Sequence, residues 1–401
     1  MKKTEYLIIG AGIVGCSAAY LLTKEGKEVT IVDKAYPCNE ASGVNAGGME
    51  LLQQPPKSLP MHILAAKLWD QFQNEDGIDV GYHRTGGLYC VLKESDLHMM
   101  DEQEERFKEN GLPIERLTAE QVHEKVPYIC DNVIAANFSP MSGYSNPLKA
   151  GVAILMKARK MGCSFYDHQF IRRVEPAEDG GHIAYSDDEQ YHAQKILISG
   201  GIRSPWLLDR LGVHIELEEK HNMITVTEKA PHFIDYTITT PTMTMKQTAE
   251  GSILIGGGRE GYGDLNTNDK KKDVSINGLC FNVREAQDII PSVKKLNILR
   301  SWSGFEGFTP ERLPYIGEVP DYPGIYYAVT GFCGYCIGPG AAAHAIKCMN
   351  GEEYFDVKNS EKKPDELRAH TQIQKALTNV GSAAGARSAE QRVVFSQDYT
   401  D

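Results

Sequence analysis

Residues 4–15 read TEYLIIGAGIVG, and this stretch decides the fold class. It joins a short, almost continuously apolar segment to a G-x-G-x-x-G turn formed by Gly10, Gly12 and Gly15. A nearly unbroken apolar segment is typical of a strand buried inside a parallel sheet. The residues that follow are small and apolar on one face, and they predict a helix that ends at Gly26.

A second predicted strand, EVTIVDK, contains Asp33, which lies 18 residues after Gly15. The order of strand, glycine turn, helix, strand and acid is that of the dinucleotide-binding βαβ unit. In such a unit Gly10 permits the tight turn, Gly12 lets the backbone approach a pyrophosphate, and Gly15 lets the helix pack closely on the strand. The helix start would donate N–H groups to phosphates, and Asp33 would accept hydrogen bonds from ribose hydroxyls. This unit by itself does not distinguish NAD from FAD.

The composition excludes several other classes of protein. The net charge is −12 and the basic residues are scattered, which argues against binding of nucleic acid. No apolar stretch reaches the roughly 18 residues that a membrane span needs, and we interpret the apolar N-terminus as the first strand rather than as a signal peptide. The nine cysteines are dispersed and odd in number, so we expect a cytoplasmic protein with reduced thiols.

A second glycine-rich stretch, NEASGVNAGGM (residues 39–49), indicates the cofactor. It resembles the corresponding stretch of the FAD-dependent D-amino acid oxidase (DAO) family, which includes glycine and sarcosine oxidases and the β-type subunits of sarcosine, proline and opine dehydrogenases. In that family this loop runs beneath the pyrophosphate and the flavin ring. The positions that match the family pattern are Ser42, Gly43, Asn45, Gly47 and Gly48.

The resemblance extends over about residues 4–350, in several motifs that occur in the family's order. They lie in residues 84–92, 143–175, 195–213, 220–231, 246–260 and 300–340. The resemblance implies an α/β fold, in which a Rossmann-like FAD-binding domain carries an inserted antiparallel β-sheet substrate domain. The implied FAD domain is discontinuous and comprises residues 1–80, 143–220 and 315–351, while the substrate domain comprises residues 81–142 and 221–314. We expect residues 352–401 to be a partner-binding or disordered tail.

The resemblance also implies which positions contact FAD. Val174 is expected to contact the adenine through its backbone, and Gly304 stands near where some members tether flavin through a cysteine, so FAD is expected to be non-covalent. The positions assigned to the cofactor are Gly10, Gly12, Ile13, Val14, Gly15, Asp33, Lys34, Ser42, Gly43, Asn45, Ala46, Gly47, Gly48, Val174, Ser199, Gly200, Gly201, Trp206, Gly304, Gly331, Gly334, Tyr335, Cys336, Ile337 and Gly338.

Family members oxidise a carbon–nitrogen bond by transferring hydride from the α-carbon to flavin N5, and the resulting imine is hydrolysed. Glycine-oxidase-like members place an arginine two residues after a Trp-x-Gly motif to hold the substrate carboxylate, whereas this chain has Glu306 there. A carboxylate clamp must therefore come from elsewhere, with Arg259 and Arg84 as candidates, or the substrate carries a cationic arm that Glu306 pairs with. A solvated or salt-bridged Glu306 is the structural alternative. The candidate catalytic residues are Glu306, Tyr335, His221, Lys246 and Arg259, with a surface position on a hairpin as the alternative for Lys246.

A C-x-x-C pair, Cys333 and Cys336, lies in the segment TGFCGYCIGPG, where the family has a glycine-rich loop under the flavin pyrimidine. We expect Pro339 to stand near the first turn of the helix that follows. The two thiols are interpreted as packing residues, as a redox dithiol with a lowered pKa at Cys336, or as half of a metal site. A metal is the least favoured of these, because no second C-x-x-C supplies the remaining ligands.

The sequence therefore predicts an FAD-dependent enzyme that oxidises an amino acid, secondary amine or opine. One alternative is a stand-alone oxidase that releases hydrogen peroxide. Another is a flavin-binding subunit without turnover of its own, which docks a catalytic partner. We expect a small-molecule substrate and a possible partner dehydrogenase subunit, and neither nucleic acid nor a transmembrane segment.

Overall fold

The dinucleotide-binding unit predicted at the N-terminus is present in the computed structural model, which describes residues 1–257, 260–265 and 273–352. The strands of the described residues, in chain order, are β1 (Lys2–Ile9), β2 (Val29–Val32), β3 (Gly48–Met49), β4 (Gly87–Val91), β5 (Glu115–Thr118), β6 (Ala135–Ser139), β7 (Gly143–Tyr144), β8 (Ser164–Tyr166), β9 (Arg173–Pro176), β10 (His182–Tyr185), β11 (Gln190–Ile198), β12 (Glu218–Lys229), β13 (Thr237–Thr239), β14 (Thr244–Gln247), β15 (Ser252–Gly256), β16 (Ile298–Phe308), β17 (Tyr315–Glu318) and β18 (Ile325–Val329). The α-helices are α1 (Ile13–Lys24), α2 (Ala41–Val44), α3 (Leu59–Asn74), α4 (Leu97–Glu109), α5 (Ala119–Lys125), α6 (Ala150–Lys160), α7 (Ser204–Leu208), α8 (Ile276–Ile289) and α9 (Gly334–Met349).

The first sheet is built around β1. Its strand order is β17-β18-β11-β1-β2-β8, with β10 and β9 continuing from β11. β1 lies parallel to both β11 and β2, so that Ile8 faces Leu197 on one side and Ile31 on the other, and all three side chains are completely buried. This double burial explains why the strand is apolar at successive positions. The loops that follow β1, β2, β11 and β18 meet at one edge of the sheet.

The second sheet has the order β16-β12-β15-β14-β13-β4-β6-β5. All its neighbouring strands are antiparallel except β13 and β4, which are parallel, so the sheet is not purely antiparallel as predicted. On one face, Met245, Ile253 and Ile255 pack in a core that includes Ile289 of α8. The opposite face carries Trp302 and Lys246, whose side chains contact segments around the first sheet.

The strands of the two sheets come from different ranges of the chain. The first sheet draws on residues 1–80, 143–220 and 315–351, and the second on residues 81–142 and 221–314, except that β12 already begins at Glu218. In the described ranges, none of the helices combines the length and the apolar character needed to cross a bilayer. Of the tail predicted at 352–401, only residue 352 is described, so that prediction lies outside the described residues.

The turn between β1 and α1 depends on the absence of two side chains. A Cβ atom at Gly15 would lie 1.9 Å from the carbonyl oxygen of Gly10, and one at Gly10, where φ is +109°, would lie 2.6 Å from the carbonyl oxygen of Ser199. Backbone atoms cannot move away as the end of a flexible side chain can. The helix, the first strand and the loop after β11 therefore approach as closely as they do only with glycine at these positions.

Gly15→Ala is expected to reduce the free energy of unfolding by about 3 kcal/mol or more, because the new methyl group overlaps backbone that cannot yield. Gly212→Ala is the matched control, since Gly212 has a φ of +79° but an added Cβ would meet no atom within 4 Å. The control should lose only about 1 kcal/mol from backbone strain. Denaturant unfolding of both variants checks the prediction, and equal losses would contradict it.

Candidate active site

A long cleft lies where the strand ends of the first sheet face the second sheet. It is lined by residues that follow β1, β2, β8, β11 and β18, together with Phe305, Glu306 and Gly307 of β16. The predicted cofactor positions that line it are Gly10, Gly12, Ile13, Val14, Asp33, Lys34, Ser42, Asn45, Ser199, Gly200, Gly201, Trp206, Gly334 and Tyr335. The structure therefore brings residues from three separate parts of the chain to one cleft.

Asp33 is held rigidly in this cleft by backbone N–H groups. Its two carboxyl oxygens accept hydrogen bonds from the N–H of Ala11 at 2.6 Å and from the N–H of Ala35 at 2.9 Å. Burial raises the pKa of Asp33, while these two hydrogen bonds act in the opposite direction. The result is an oriented acceptor beside the glycine turn.

The loops of the cleft are also bonded to one another. The Ser199 hydroxyl donates to the carbonyl of Gly10 at 3.1 Å, and the N–H of Ile13 donates to the Ser42 hydroxyl at 2.9 Å. The Trp302 indole N–H donates to the carbonyl of Val44 at 2.6 Å, which joins the second sheet to the second glycine-rich stretch. The cleft is thus held in shape by side chain to backbone bonds between segments distant in sequence.

The other predicted cofactor positions do not line the cleft: Gly15, Gly43, Ala46, Gly47, Gly48, Val174, Gly304, Gly331, Cys336, Ile337 and Gly338. Several of these glycines permit close packing behind the lining. A Cβ at Gly43 would lie 2.1 Å from the Cys38 carbonyl oxygen, and one at Gly304 would lie 2.3 Å from a Val44 methyl group. A Cβ at Gly331 would similarly lie 2.3 Å from the Leu313 carbonyl oxygen. These residues shape the cleft without facing it.

Val174 is placed differently from the sequence expectation. It lies in β9, paired with β10, and is buried in the core of the first sheet, whereas Ile171, Phe170 and Gln169 line the cleft. The physical reason is topological, because β8 runs parallel to β2 and the residues directly after its carboxyl end reach the edge where ligands bind. The backbone N–H of Gln169 donates to the carbonyl of Asp33 at 2.7 Å, which fixes this segment there. Counting residues from the end of β8 would have identified Gln169, Phe170 and Ile171 as lining residues.

Tyr335, which lines the cleft, is held in place by a hydrogen bond and by an aromatic contact. Its hydroxyl lies 2.7 Å from the Ser145 hydroxyl, and its ring packs against Trp69 with centroids 5.2 Å apart. The helix that carries it, α9, begins at Gly334, five residues before Pro339. The expectation that Pro339 stands near the first turn is therefore wrong, and the proline lies inside the helix, where it can donate no backbone hydrogen bond. The residue at the helix start, Cys333, adopts a left-handed conformation with φ of +46°.

Both thiols of the C-x-x-C pair are free, with Cys336 buried and Cys333 half-buried. Burial raises the pKa of Cys333 to about 12 and that of Cys336 well above its usual value, which contradicts the lowered pKa expected for a redox dithiol. The Cys336 sulfur lies 3.6 Å from Nδ1 of His62, a buried imidazole whose pKa burial lowers to about 3. Within the described ranges, no cluster of three or more metal-ligating side chains occurs. The geometry favours the packing interpretation of both thiols.

Lys246 is buried, so its alternative as a surface lysine is wrong. Its ammonium group donates to the carbonyl of Ser145 at 3.2 Å and lies 4.4 Å from the centre of the Tyr144 ring. Burial lowers the pKa of Lys246 to about 7. Lys246 does not line the cleft itself, but it shares Ser145 with Tyr335.

Of the remaining candidates, only Glu306 lines the cleft. Its carboxyl group is half-buried and accepts a hydrogen bond from the side-chain amide of Asn222, and burial raises its pKa. His221 lies on the neighbouring strand with its Nε2 2.5 Å from Glu219 and its ring against Phe305, outside the lining. Arg84 is exposed and bonded to the carbonyl of Pro140, away from the cleft. Arg259 lies outside the described residues.

The family model for FAD-dependent oxidoreductases of the DAO family matches residues 5–347. The chain belongs to the DAO family. Among curated relatives of this DAO-family protein, one subunit of the opine oxidase of Rhizobium meliloti is 26% identical over 341 residues, which cover 81% of this chain and 88% of the relative. Glycine oxidase of Geobacillus kaustophilus is 22% identical over 334 residues, covering 81% and 87%.

Solved structures support the fold of this DAO-family chain. Glycine oxidase from Geobacillus kaustophilus aligns with a TM-score of 0.80 at 19% identity, covering 89% of this chain and 98% of that one. L-proline dehydrogenase from P. horikoshii aligns with a TM-score of 0.82 at 21% identity, covering 94% and 99%. The predicted family and fold class are confirmed, and the protein is an FAD-dependent oxidoreductase.

The residues of the cleft fit the FAD that this DAO-family enzyme uses as its cofactor. Asp33 presents a fixed acceptor suited to ribose hydroxyls, and the absence of a side chain at Gly10 lets the loop after β11 approach the glycine turn. Trp206, which packs against Phe170 with ring centroids 4.7 Å apart, supplies an aromatic wall to the same part of the cleft. Other residues line the cleft although no glycine motif in the sequence marks them; they include Cys38, Glu40, Gln169, Phe170, Ile171, Arg203, Phe305, Gly307, Thr330 and Phe332.

The lowered pKa of Lys246 predicts how stability changes with pH. Unfolding returns the lysine to water, where it binds a proton up to about pH 10.5. Between about pH 7 and 10 the unfolded state therefore holds more protons than the folded state. The free energy of unfolding consequently increases as pH rises through this range. Lys246→Met is expected to remove a gain of up to about 1.4 kcal/mol per pH unit. Lys229→Met, at an exposed position on β12, is the control and should keep it. Melting temperatures at pH 7, 8 and 9 check this, and an unchanged slope in Lys246→Met contradicts it.

The burial of the thiols predicts selective labelling of the native protein. Cys280 is the exposed cysteine among the nine, so a disulfide reagent at pH 7.5 should react rapidly with about one thiol per chain. Cys280→Ser should abolish this rapid phase, while denatured protein should release all thiols. A rapid phase that persists in Cys280→Ser and disappears in Cys336→Ser would show that the C-x-x-C pair is reactive instead.

Proposed function

We propose that the protein oxidises the carbon–nitrogen bond of an amino acid, a secondary amine or an opine. Bound FAD would supply the two-electron acceptor for this oxidation, so that a hydride leaves the substrate α-carbon. Loss of that hydride and of the proton on nitrogen leaves an imine, which water hydrolyses to a carbonyl compound and an amine. The protein's own task is to bind and orient the substrate and to control water at the reacting carbon.

The observation that carries this proposal is the placement of one continuous cleft. It runs past Asp33 and the glycine turn, which suit the nucleotide, to Tyr335 and Glu306, where the second sheet meets the first. In flavoenzymes the protein contributes mainly binding, orientation and electrostatics, so no acid–base triad is required for the chemistry. The relatives named opine oxidase and glycine oxidase support the substrate classes.

Two of the candidate residues, Tyr335 and Lys246, have a role toward the cofactor in this proposal. Tyr335, fixed by Ser145, would form part of the cleft wall that holds the flavin end of FAD. Lys246 places a titratable ammonium group behind Gly47, within 3.1 Å of the position that a Cβ there would take. Such a group can stabilise negative charge on the reduced flavin at or below about pH 7. We propose that FAD is held without a covalent bond, as Gly304 offers no thiol for attachment.

We further propose that the chain acts as the flavin subunit of a heteromeric dehydrogenase. The support is its similarity to the Rhizobium meliloti opine oxidase subunit along 88% of that relative's length. All nine cysteines are free thiols in the structure, and free thiols are typical of proteins of the reducing cytoplasm, where we propose that this protein is located. The alternatives are a stand-alone oxidase that releases hydrogen peroxide and a flavin-binding subunit without turnover of its own.

The test is the visible spectrum of the purified protein, recorded without air before and after addition of D- and L-amino acids, N-methylated amines and opines. We expect the absorbance of the oxidised flavin to bleach with one of these classes. Slow recovery after air is admitted, with little hydrogen peroxide, supports a dehydrogenase, while rapid recovery with peroxide supports an oxidase. A bound flavin that none of the compounds bleaches would contradict the proposed turnover.

A further inference from the structure

Glu306 brings a carboxyl group to the cleft, and none of the cationic side chains in the described part of the chain forms an ion pair with it. Its carboxyl group lines the cleft, and its one protein partner in the described part of the chain is the neutral side-chain amide of Asn222. No ion pair to Glu306 occurs among the described residues. A half-buried carboxylate that lacks a counter-ion is costly, and a cationic ligand would remove that cost.

The lysine nearest to Glu306 in the sheet is already engaged. Lys220 lies directly opposite Glu306 in the register of β12 and β16. Its ammonium group, however, bonds to Glu218 at 2.6 Å and to Glu260 at 3.1 Å. On the same strand, His221 is paired with Glu219. Among the described residues, carboxylates therefore outnumber cations along this part of the second sheet, and Glu306 is the carboxylate of this group that lines the cleft.

Buried acceptors without donors also occur among the residues around the Cys333 thiol. Besides burial, the carboxyl groups of Glu306 and Glu50 raise the pKa of this thiol, while the Arg312 guanidinium lowers it. Glu50 and Gln54 are both buried, and Glu50 Oε2 and Gln54 Oε1 have no hydrogen-bond partner in the described part of the chain.

We propose that the substrate carries a second, cationic nitrogen group away from the bond that is oxidised, and that Glu306, positioned by Asn222, binds it. A guanidinium or an ammonium group on an amino-acid side arm meets this description, since both offer several N–H donors and a positive charge. The arginine that glycine-oxidase-like members of the family have at this position would repel such a group. This inference rests on the proposed oxidation of a carbon–nitrogen bond and specifies the substrate of the same site.

A matched pair of compounds tests it. Arginine and citrulline side arms have the same length and differ in charge, so N-(1-carboxyethyl)arginine and N-(1-carboxyethyl)citrulline are compared in anaerobic flavin reduction, together with the free amino acids. For the unaltered protein with FAD bound, the arginine compound should half-saturate at a concentration about 10- to 100-fold below that of the citrulline compound. Equal half-saturation, or preference for citrulline, overturns the proposal.

Glu306→Gln keeps the shape of the side chain and removes its charge. It should abolish the preference for arginine by raising the half-saturating concentration of that compound alone, while the limiting rate of reduction changes by less than about threefold. Asn222→Ala should weaken the preference in the same direction but less, since Asn222 acts as a positioning residue. Glu218→Gln, at an exposed carboxylate on the same sheet, should leave the preference unchanged.

The outcomes separate this inference from the proposed function. If neither compound bleaches the flavin, turnover is tested by the wider panel, and binding is followed by the shift that each compound causes in the flavin spectrum. The arginine compound is expected to shift the flavin spectrum at a lower concentration than the citrulline compound does. If Glu306→Gln removes this difference, the result supports the cationic site even without turnover. Bleaching by substrates without a cationic arm, equally in the unaltered protein and in Glu306→Gln, leaves the proposed function intact and overturns the inference.

Discussion

The structure depends on the close approach of three backbone segments at the end of β1. The helix α1, the strand and the loop after β11 meet where Gly10 and Gly15 leave no side chain between them. That approach brings the start of the helix and the Ser199 loop to one side of the cleft, and it gives Asp33 the N–H of Ala11 to accept from. The nucleotide part of the cleft therefore follows from a steric constraint rather than from a set of charged contacts.

The residues at and behind the far part of the cleft are subject to a different constraint, the cost of burying charge. Lys246 and Glu50 are buried and Glu306 is half-buried, and burial lowers the pKa of the lysine and raises the pKa of both carboxyl groups, to about 7 for Lys246 and for Glu50. Protein interiors tolerate such groups where function needs them, and perturbed groups cluster at active sites. Glu50 illustrates the partial compensation available, since one oxygen accepts from the Ser142 hydroxyl and from two backbone N–H groups while the other has no partner in the described residues.

Motifs with fixed local geometry were predictable from the sequence, and contacts between distant segments were not. The glycine turn, the helix to Lys24 and the acid at Asp33 follow from spacing within about thirty residues, because strand and helix periods dictate which atoms meet. Val174 was assigned to the cofactor from the family resemblance, whereas the residues that line the cleft are those directly after β8, because the carboxyl end of a parallel strand lies at the edge where ligands bind. The prediction that Pro339 stands near the first turn of its helix was wrong because α9 begins five residues earlier, at Gly334.

By itself, the sequence determined the dinucleotide-binding unit, since the order and spacing of its glycines and acid permit few other folds, and the resemblance to the DAO family implied the FAD cofactor and the second sheet. Only the tertiary structure decided which predicted residues face the cleft and which pack behind it. It also decided that Lys246 is buried, that both C-x-x-C thiols have raised pKa values, and that Glu306 meets the neutral Asn222 rather than Lys220. The reason is that burial and charge compensation depend on atoms supplied by segments up to 274 residues apart in the chain, and no local pattern records them.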